Sequence, residues 1–148
     1  MKVGAIEIEK ELAILTSIRK HFDKNKITLR VDANGGFAFA KAKEILKRLA
    51  LLDIHSIEQP IPKGHWEEMK KLCLQTPTPI ALDEELIGIT GVTKKRELLQ
   101  TIQPQYIILK PSFVGGYKGS EEWIWIANSL GVGWWTVSYT HLTLPTKA

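Results

Sequence analysis

The sequence predicts an α/β fold assembled from repeated strand–helix units, and two observations lead to this prediction. Short runs of aliphatic and β-branched residues alternate with longer segments that are rich in lysine and glutamate. Within the longer segments, apolar residues recur every three or four positions, which is typical of one face of a helix. Strands that alternate with helices are joined by right-handed crossovers into a parallel sheet, which is either open and doubly wound or closed into a (β/α) barrel.

Five strands and five helices are predicted in order along the chain. Each strand prediction rests on a run of β-branched, aliphatic or aromatic residues: residues 27–32 (ITLRVD), 54–58 (IHSIE), 79–83 (PIALD), 106–110 (YIILK) and 132–136 (VGWWT). Each helix prediction rests on apolar residues at helical spacing among charged ones: residues 7–22, 38–51, 65–75, 93–100 and 117–130. The first helix precedes the first of these strands, and each of the other four joins two of them.

Four successive predicted strands have an ionisable residue at or next to their C-terminal end. These residues are Asp32, Glu58, Asp83 and Lys110. In a barrel the carboxyl ends of the strands converge on one mouth, where active sites are built, whereas an open sheet would spread them along a line. A charge among buried apolar residues is costly unless it is paired. The pattern therefore favours a barrel with its site at these strand ends.

The three acids at these strand ends predict a magnesium site. Carboxylates that converge would repel one another unless a positive charge lay between them, and a set of hard oxygen donors suits Mg²⁺ best. We therefore predict that Asp32, Glu58 and Asp83 bind Mg²⁺. Because such an ion keeps open positions for substrate oxygens, it favours removal of a proton next to the carboxylate of a small-molecule substrate.

Removal of a proton also needs a base, and two lysines are candidates. Lys110 is suitable provided that burial and the adjacent cation lower its pKa. Lys2 is followed by Val3, Gly4 and Ala5, which indicates the trailing end of a further strand that would place a second ammonium group across the mouth. The alternative for Lys2 is an exposed lysine near the chain terminus.

Six segments, in order and at barrel spacing, resemble the enolase superfamily, in particular its muconate-lactonising subgroup. They are KVGAI, RVDANGGF, SIEQPI, IALDEEL, ILKPSFVGG and GVGWWT. The resemblance implies that Asp32, Glu58 and Asp83 bind Mg²⁺ from the third, fourth and fifth barrel strands. It also implies that Lys2 removes the proton α to the substrate carboxylate and then protonates the departing hydroxyl, while Lys110 stabilises the enediolate from the other face.

The resemblance also implies how much of the fold is present. Residues 1–136 correspond to a partial TIM-type barrel that covers about the second to seventh strands, and the capping domain of the family has no counterpart in the chain. Residues 137–148 depart from the family pattern and are interpreted as a divergent tail, with a non-native segment and a natural divergent terminus as the two alternatives. A barrel without closure exposes sheet edges, so the chain is expected to be a fragment rather than a stable catalyst on its own.

Three functions follow as hypotheses from the resemblance. Within the subgroup the segments are most like those of o-succinylbenzoate synthases, which implies dehydration of a succinyl-hydroxycyclohexadiene carboxylate on the route to menaquinone. The same lysines and acids also serve N-acylamino acid racemases and dipeptide epimerases, where Lys2 and Lys110 would exchange a proton on opposite faces of one carbon. The third hypothesis is an inactive, truncated barrel.

Four further residues are weaker candidates for substrate binding, each with a structural alternative. Asn34 lies near the mouth but also precedes two glycines and suits a turn. Gly115 and Gly116 would let backbone approach a substrate or would turn the chain into the next helix. Trp135 would line the pocket or pack in the barrel wall. His55 lies inside a predicted strand and is interpreted as a core histidine rather than a ligand.

Composition and charge exclude several classes of protein. The net charge of +4 comes from lysines scattered over predicted helix surfaces, so nucleic-acid binding is not expected. The sequence has neither an apolar run of roughly 18 residues nor a secretory signal pattern, which predicts a cytoplasmic protein without a membrane span. The one cysteine, Cys73, lies in the apolar stretch LCL and is predicted to be a buried thiol.

Overall fold

A computed structural model describes residues 1–137 of the 148-residue chain. The predicted divergent tail, residues 137–148, lies outside the described residues except for Val137. Among the described helices, none combines the length and the apolar character that crossing a bilayer requires.

Five strands and five α-helices alternate along the described chain. They are α1 (Ile8–His21), β1 (Arg30–Asp32), α2 (Phe39–Ala50), β2 (Ser56–Glu58), α3 (Trp66–Gln75), β3 (Ile80–Leu82), α4 (Val92–Ile102), β4 (Tyr106–Leu109), α5 (Gly116–Leu130) and β5 (Gly133–Thr136). A short 3-10 helix at Glu84–Leu86, directly after β3, is the one element among them that the sequence did not predict.

The strands form one parallel sheet in the order β1-β2-β3-β4-β5, which is the order of the chain. Sequential order is typical of a barrel wall, because a doubly wound sheet reverses direction partway across. Within residues 1–137 the sheet is not closed. The prediction of a parallel α/β fold that forms part of a barrel is therefore confirmed.

The first residues of the chain add a parallel strand segment beside β1. The backbone N–H of Val3 donates to the carbonyl of Asp32 at 2.8 Å, and the N–H of Asp32 donates to the carbonyl of Met1 at 2.9 Å. Lys2 and Asp32 form the bridge between the two segments. Lys2 therefore lies in an isolated parallel bridge beside β1, and the prediction that it ends a further strand stays a prediction.

The predicted helices match the observed ones to within two residues at each end, whereas the strands are shorter than predicted. The clearest case is residues 27–32, of which only Arg30–Asp32 form β1. The carbonyl of Ile27 instead accepts a hydrogen bond from the Arg19 guanidinium at 3.2 Å, which ties this approach segment to α1. Glu58 ends β2, while Asp83 and Lys110 come one residue after β3 and β4.

The core lies between the sheet and the helices that cover one of its faces. On α2 the buried residues are Ala42, Ile45, Leu46 and Leu49, which recur at helical spacing. All three residues of β3 are buried, as expected for a parallel strand with a covered face. Cys73 is buried on α3, and burial raises the pKa of its thiol to about 12, so the prediction of a buried thiol is confirmed.

Candidate active site

The four predicted strand-end residues lie along one edge of the sheet. Asp32 and Glu58 are directly opposite each other in the register of β1 and β2. Asp83 and Lys110 follow the ends of the next two strands. Because parallel strands present their carboxyl ends at the same edge, the side chains face a common region.

The Lys110 side of this region is largely buried. The ammonium nitrogen of Lys110 contacts the Oδ2 atom of Asp83 and lies 3.3 Å from the Oε1 atom of Glu58. The side chain of Asp83 is 4% exposed, and that of Lys110 is 15% exposed. A buried ion pair of this kind requires both partners, because removal of either one leaves an uncompensated charge out of water.

Glu58 is the residue whose ionisation is most strongly disturbed. Burial, a hydrogen bond with Asp83 and the negative charges of Asp32 and Asp83 together raise its pKa to about 8, although the ammonium group of Lys110 acts in the opposite direction. Three carboxylates at one strand edge therefore carry more negative charge than one buried ammonium group offsets.

The pKa of Lys110 is also raised. Burial alone would lower it, but the hydrogen bond to Asp83 and the negative charges of Asp83 and Glu58 outweigh burial. To act as the base, Lys110 would need a lowered pKa. The structure gives the opposite direction, because two carboxylates contact its ammonium group directly.

The Lys2 side of the region is open to solvent. The Lys2 ammonium lies 2.7 Å from the Oδ2 atom of Asp32, and its side chain is 69% exposed. The hydrogen bond to Asp32 raises the pKa of Lys2, and the positive charge of Lys110 opposes this rise. The two ammonium groups therefore lie on opposite sides of the three strand-end carboxylates, with Lys2 on the β1 side and Lys110 on the β4 side.

Asn34 joins the Lys2 side to the loop after β3. Its Oδ1 atom accepts a hydrogen bond from the Lys2 ammonium, and its amide nitrogen donates to the Oε1 atom of Glu84 at 3.0 Å. The residue also has a φ of 45°, and its backbone N–H donates to the Asp32 carboxylate at 2.9 Å. Asn34 thus both turns the chain and reaches the candidate site.

A buried carboxylate on α1 holds the loop that follows Lys2. The Glu11 carboxylate accepts hydrogen bonds from the backbone N–H groups of Gly4, Ala5 and Ile6 at 2.8, 3.2 and 3.3 Å. Glu11 is 3% exposed. This contact fixes the path of the chain immediately after the Lys2 segment.

The described residues include three carboxylates that suit Mg²⁺ as ligands, but these carboxylates are not grouped as a metal site. Among residues 1–137, no three Asp, Glu, His or Cys side chains stand close enough together to hold a metal ion. The physical reason is that Lys2 binds Asp32 while Lys110 binds Glu58 and Asp83, so the carboxylates are drawn to two flanks. The assignment of Asp32, Glu58 and Asp83 to one Mg²⁺ ion therefore stays a prediction. Three carboxylates at neighbouring strand ends nevertheless form an all-oxygen donor set that fits a divalent cation.

The two glycines predicted near the substrate turn the chain into α5. Gly115 has a φ of 96° and precedes the first turn of that helix, and Gly116 has a φ of 69°. The N–H of Gly116 donates to the carbonyl of Pro111 at 2.7 Å. These positive φ values support the turn interpretation of both residues.

Trp135 does not join the carboxylates. Its ring packs against Tyr106 at 5.4 Å between centroids, and the guanidinium of Arg30 lies 4.3 Å above it. Tyr106 and Arg30 are the first residues of their strands, so these contacts lie toward the opposite end of the sheet. His55 is half-buried in the same group, with its ring 5.1 Å from that of Tyr106. Its predicted packing role agrees with these contacts.

Three polar residues near the carboxylates were not singled out from the sequence: Gln59, Glu84 and Glu85. Gln59 and Glu85 are 0% and 4% exposed, and each follows a predicted metal ligand by one or two positions. One carboxylate oxygen of Glu84, Oε2, is buried and has no hydrogen-bond partner among the described residues. The signal available in the sequence was the unusual density of polar residues in SIEQPI and IALDEEL.

Comparison with protein-family models matches residues 1–147 to the family described as enolase C-terminal domain-like. The chain is 49% identical over 138 residues to an o-succinylbenzoate synthase of Desulfotalea psychrophila strain LSv54, a match that covers 93% of this chain and 37% of the relative. It is 32% identical over 134 residues to an L-Ala-D/L-Glu epimerase of Bacillus subtilis strain 168, covering 89% of this chain and 36% of the relative.

Among solved structures, the crystal structure of MenC from Desulfotalea psychrophila LSv54 superposes with a TM-score of 0.87 and 46% sequence identity. The superposition covers 90% of this chain and 37% of that structure. This chain therefore spans a little over a third of the length of the curated relatives that it matches.

Proposed function

The chain belongs to the enolase C-terminal domain-like family, and from this premise we propose that it carries the catalytic centre of an o-succinylbenzoate synthase. The proposed reaction removes water from a succinyl-hydroxycyclohexadiene carboxylate on the route to menaquinone. The relatives are enzymes of the enolase superfamily, and the synthase of Desulfotalea psychrophila is 49% identical to this chain. Because the chain spans a little over a third of that relative, the activity is proposed for the site within a complete barrel.

The observation that carries the proposal is the placement of two ammonium groups on opposite flanks of three carboxylates. Lys2 pairs with the acid of β1, and Lys110 pairs with the acids that follow β2 and β3. Charge that develops on a substrate between these flanks would be stabilised by groups already in position, with little reorganisation. Proton abstraction next to a carboxylate is the chemistry that this arrangement suits.

We assign the three carboxylates of Asp32, Glu58 and Asp83 to Mg²⁺. A bound Mg²⁺ would supply Lewis-acid stabilisation of the negative charge that forms on the substrate carboxylate. The crowding of carboxylates at the strand ends supports this assignment: burial, a hydrogen bond with Asp83 and the negative charges of Asp32 and Asp83 together raise the pKa of Glu58. Magnesium is also the ion that an all-oxygen donor set with open positions favours.

The two lysines take different roles in this proposal. Lys2, as the neutral amine, accepts the proton from the carbon α to the substrate carboxylate, and the ammonium group formed in this way then returns a proton to the hydroxyl that leaves as water. Lys2 is assigned this role because it is 69% exposed and pairs with one carboxylate, whereas Lys110 is held by two. The contact with Asp32 raises the pKa of Lys2, so this contact has to open before the amine can accept a proton. Lys110 keeps its positive charge and stabilises the enediolate from the opposite side.

A second candidate function is racemisation or epimerisation of an N-acylamino acid or dipeptide. The same two lysines would then act on opposite faces of one carbon, each taking or giving a proton. The 32% identity to the L-Ala-D/L-Glu epimerase of Bacillus subtilis favours keeping this candidate. The third candidate is a barrel segment without activity of its own.

An experiment that separates these functions places residues 1–137 in a complete barrel. A chimera of the Desulfotalea psychrophila synthase, with its matching segment replaced by this chain, is assayed for dehydration and for racemisation of N-acylamino acids and dipeptides. The unaltered synthase is the control. The proposal expects rapid dehydration that chelation of Mg²⁺ abolishes and added Mg²⁺ restores.

The other outcomes of this assay are equally informative. Rapid racemisation with slow dehydration would transfer the function to the second candidate while the lysine and carboxylate assignments remain. A folded chimera that turns over none of the substrates would favour the inactive segment. Dehydration that survives complete chelation would remove Mg²⁺ from the proposal.

A further inference from the structure

Two buried polar residues, Gln59 and Glu85, closely follow the candidate metal ligands in the sequence and take no part in the proposed chemistry. Gln59 is 0% exposed and Glu85 is 4% exposed. Gln59 follows Glu58, and Glu85 follows Asp83 by two positions. Buried polar groups of this kind are costly unless they are fully hydrogen-bonded, so their partners identify what they stabilise.

The side chain of Gln59 connects the loop after β2 to the loop after β3. Its Oε1 atom accepts hydrogen bonds from the backbone N–H groups of Asp83 at 3.3 Å and Glu85 at 3.2 Å. Its Nε2 atom donates to the carbonyl of Ile61 at 3.0 Å and to the Glu85 carboxylate at 3.2 Å. Both ends of the amide are therefore used, and one of these bonds fixes the backbone of Asp83 itself.

The backbone of Gln59 extends the same connection to two further segments. Its N–H donates to the carbonyl of Ala81 in β3 at 2.9 Å, and its carbonyl accepts from the N–H of Gly35 at 2.7 Å. Its φ of 38° lies in the left-handed region, which is strained for a residue with a side chain and persists when surrounding contacts over-determine it. Gln59 thus joins the three segments that carry the acids of β1, β2 and β3.

Glu85 completes this connection from the other side. Its Oε1 atom accepts hydrogen bonds from the N–H of Gly64 at 2.8 Å and from the indole N–H of Trp66 at 2.7 Å. Its Oε2 atom accepts from Gln59. Three N–H donors satisfy this buried carboxylate, and none of them is a charged group.

We propose that Gln59 and Glu85 are positioning residues that fix the backbone beside Glu58 and Asp83 and so orient these two carboxylates for Mg²⁺. This inference rests on the proposed function, because it takes those carboxylates to be metal ligands. Groups that orient metal ligands typically change metal affinity by about 10- to 100-fold when they are removed. The effect should therefore appear in Mg²⁺ binding itself, without any substrate.

The test compares two glutamine variants that hydrogen-bond to opposite ends of β3. Gln59→Leu removes the hydrogen bonds at the carboxyl end of β3, where Asp83 lies. Gln105→Leu is the matched control, because the Gln105 side chain accepts from the N–H of Ile80 at 2.9 Å, at the amino end of the same strand. Mg²⁺ affinity of the full chain is measured by isothermal titration calorimetry, and stability by urea unfolding.

The proposal expects Gln59→Leu to weaken Mg²⁺ binding by about 10- to 100-fold, while Gln105→Leu leaves the affinity of the parent chain unchanged even where it lowers stability. Unchanged affinity in Gln59→Leu, or equal losses in both variants, would overturn the positioning role but leave the proposed function standing. A parent chain that binds no Mg²⁺ would overturn the metal assignment itself.

A second variant guards against loss of folding in Gln59→Leu. Glu85→Gln keeps the size of the side chain but sets an N–H group against at least one of its donors, Gln59, Gly64 or Trp66. It is expected to weaken Mg²⁺ binding in the same direction, by about 10-fold or more. Parent-like affinity in a folded Glu85→Gln variant would contradict the proposal.

Discussion

The two flanks of the candidate active site use the same chemistry in different surroundings. On one flank Lys110 pairs with Asp83 and Glu58 in a largely buried cluster, and its side chain is 15% exposed. On the other flank Lys2 pairs with Asp32 at the surface, and its side chain is 69% exposed. Both pairs join an ammonium group to a strand-end carboxylate.

This difference in burial gives the two lysines different roles, one in stability and the other in proton transfer. When one member of a buried pair is removed, the other charge is left unpaired and out of water. In an exposed pair, water solvates and screens the charge that remains. The buried lysine is therefore suited to a fixed positive charge, and the exposed lysine to the exchange of protons. We therefore expect loss of Lys110 to lower mainly the stability of the fold, and loss of Lys2 to lower mainly the rate of turnover.

The largest expected effect on stability comes from Lys110→Met. The substitution leaves the buried carboxylate of Asp83 and the partly buried side chain of Glu58 without their cation. Losses of about 3–5 kcal/mol are typical when one partner of a buried pair is removed. Since the cluster keeps some contact with solvent, we expect a loss of about 3 kcal/mol. Urea unfolding of the metal-free chain measures it. A loss below about 1 kcal/mol would mean that this pair behaves like a surface pair.

A smaller effect is expected where the Lys2 segment is anchored. Glu11→Ala removes the acceptor for three backbone N–H groups and should lower the free energy of unfolding by about 1–3 kcal/mol. Amide hydrogen exchange should accelerate at Gly4, Ala5 and Ile6. The matched control is Glu7→Ala, whose exposed carboxylate pairs only with Lys10 at the surface among the described contacts. Equal exchange in both variants would show that Glu11 does not hold this loop.

A still smaller change in stability is expected for Lys2→Met. The lysine of the lost ion pair is 69% exposed although the side chain of Asp32 is 19% exposed, and pairs that are open to solvent contribute at most about 1 kcal/mol. Unfolding in urea at low and high salt should differ little from that of the parent chain. A loss as large as that of Lys110→Met would remove the contrast between the two flanks.

The smallest expected signal is the reactivity of Cys73, which lies far from both flanks in sequence and is buried on α3. Its pKa of about 12 keeps the thiol protonated near neutral pH, and burial keeps reagents away. The folded chain should therefore react with a thiol reagent only as fast as it unfolds. Rapid labelling of the folded chain at pH 8 would contradict the described packing of α3.

The sequence was informative wherever a property repeats along the chain. Alternation of apolar runs with helical spacing predicted all five strands and all five α-helices that the structure describes. Strand-end acids and lysines predicted the edge at which the candidate site lies, because parallel strands bring their carboxyl ends together.

Properties that depend on contacts between distant loops could not be predicted in this way. Gln59 touches segments from three strands, and its importance becomes visible only when those segments meet. Trp135 packs beside Tyr106, whose ring lies over Gly133, and no local pattern announces that arrangement. The raised pKa of Lys110 arises from two carboxylates that are distant in the sequence.

The most direct test of the central claim is the dehydration rate of Lys2→Ala and Lys110→Ala in the chimera that carries this chain. We expect Lys2→Ala to fold with nearly the stability of its parent and to lose dehydration, because the exposed lysine is the base. Dehydration that persists in Lys2→Ala while Lys110→Ala, shown to be folded, has none would contradict this account and assign the base to the buried flank.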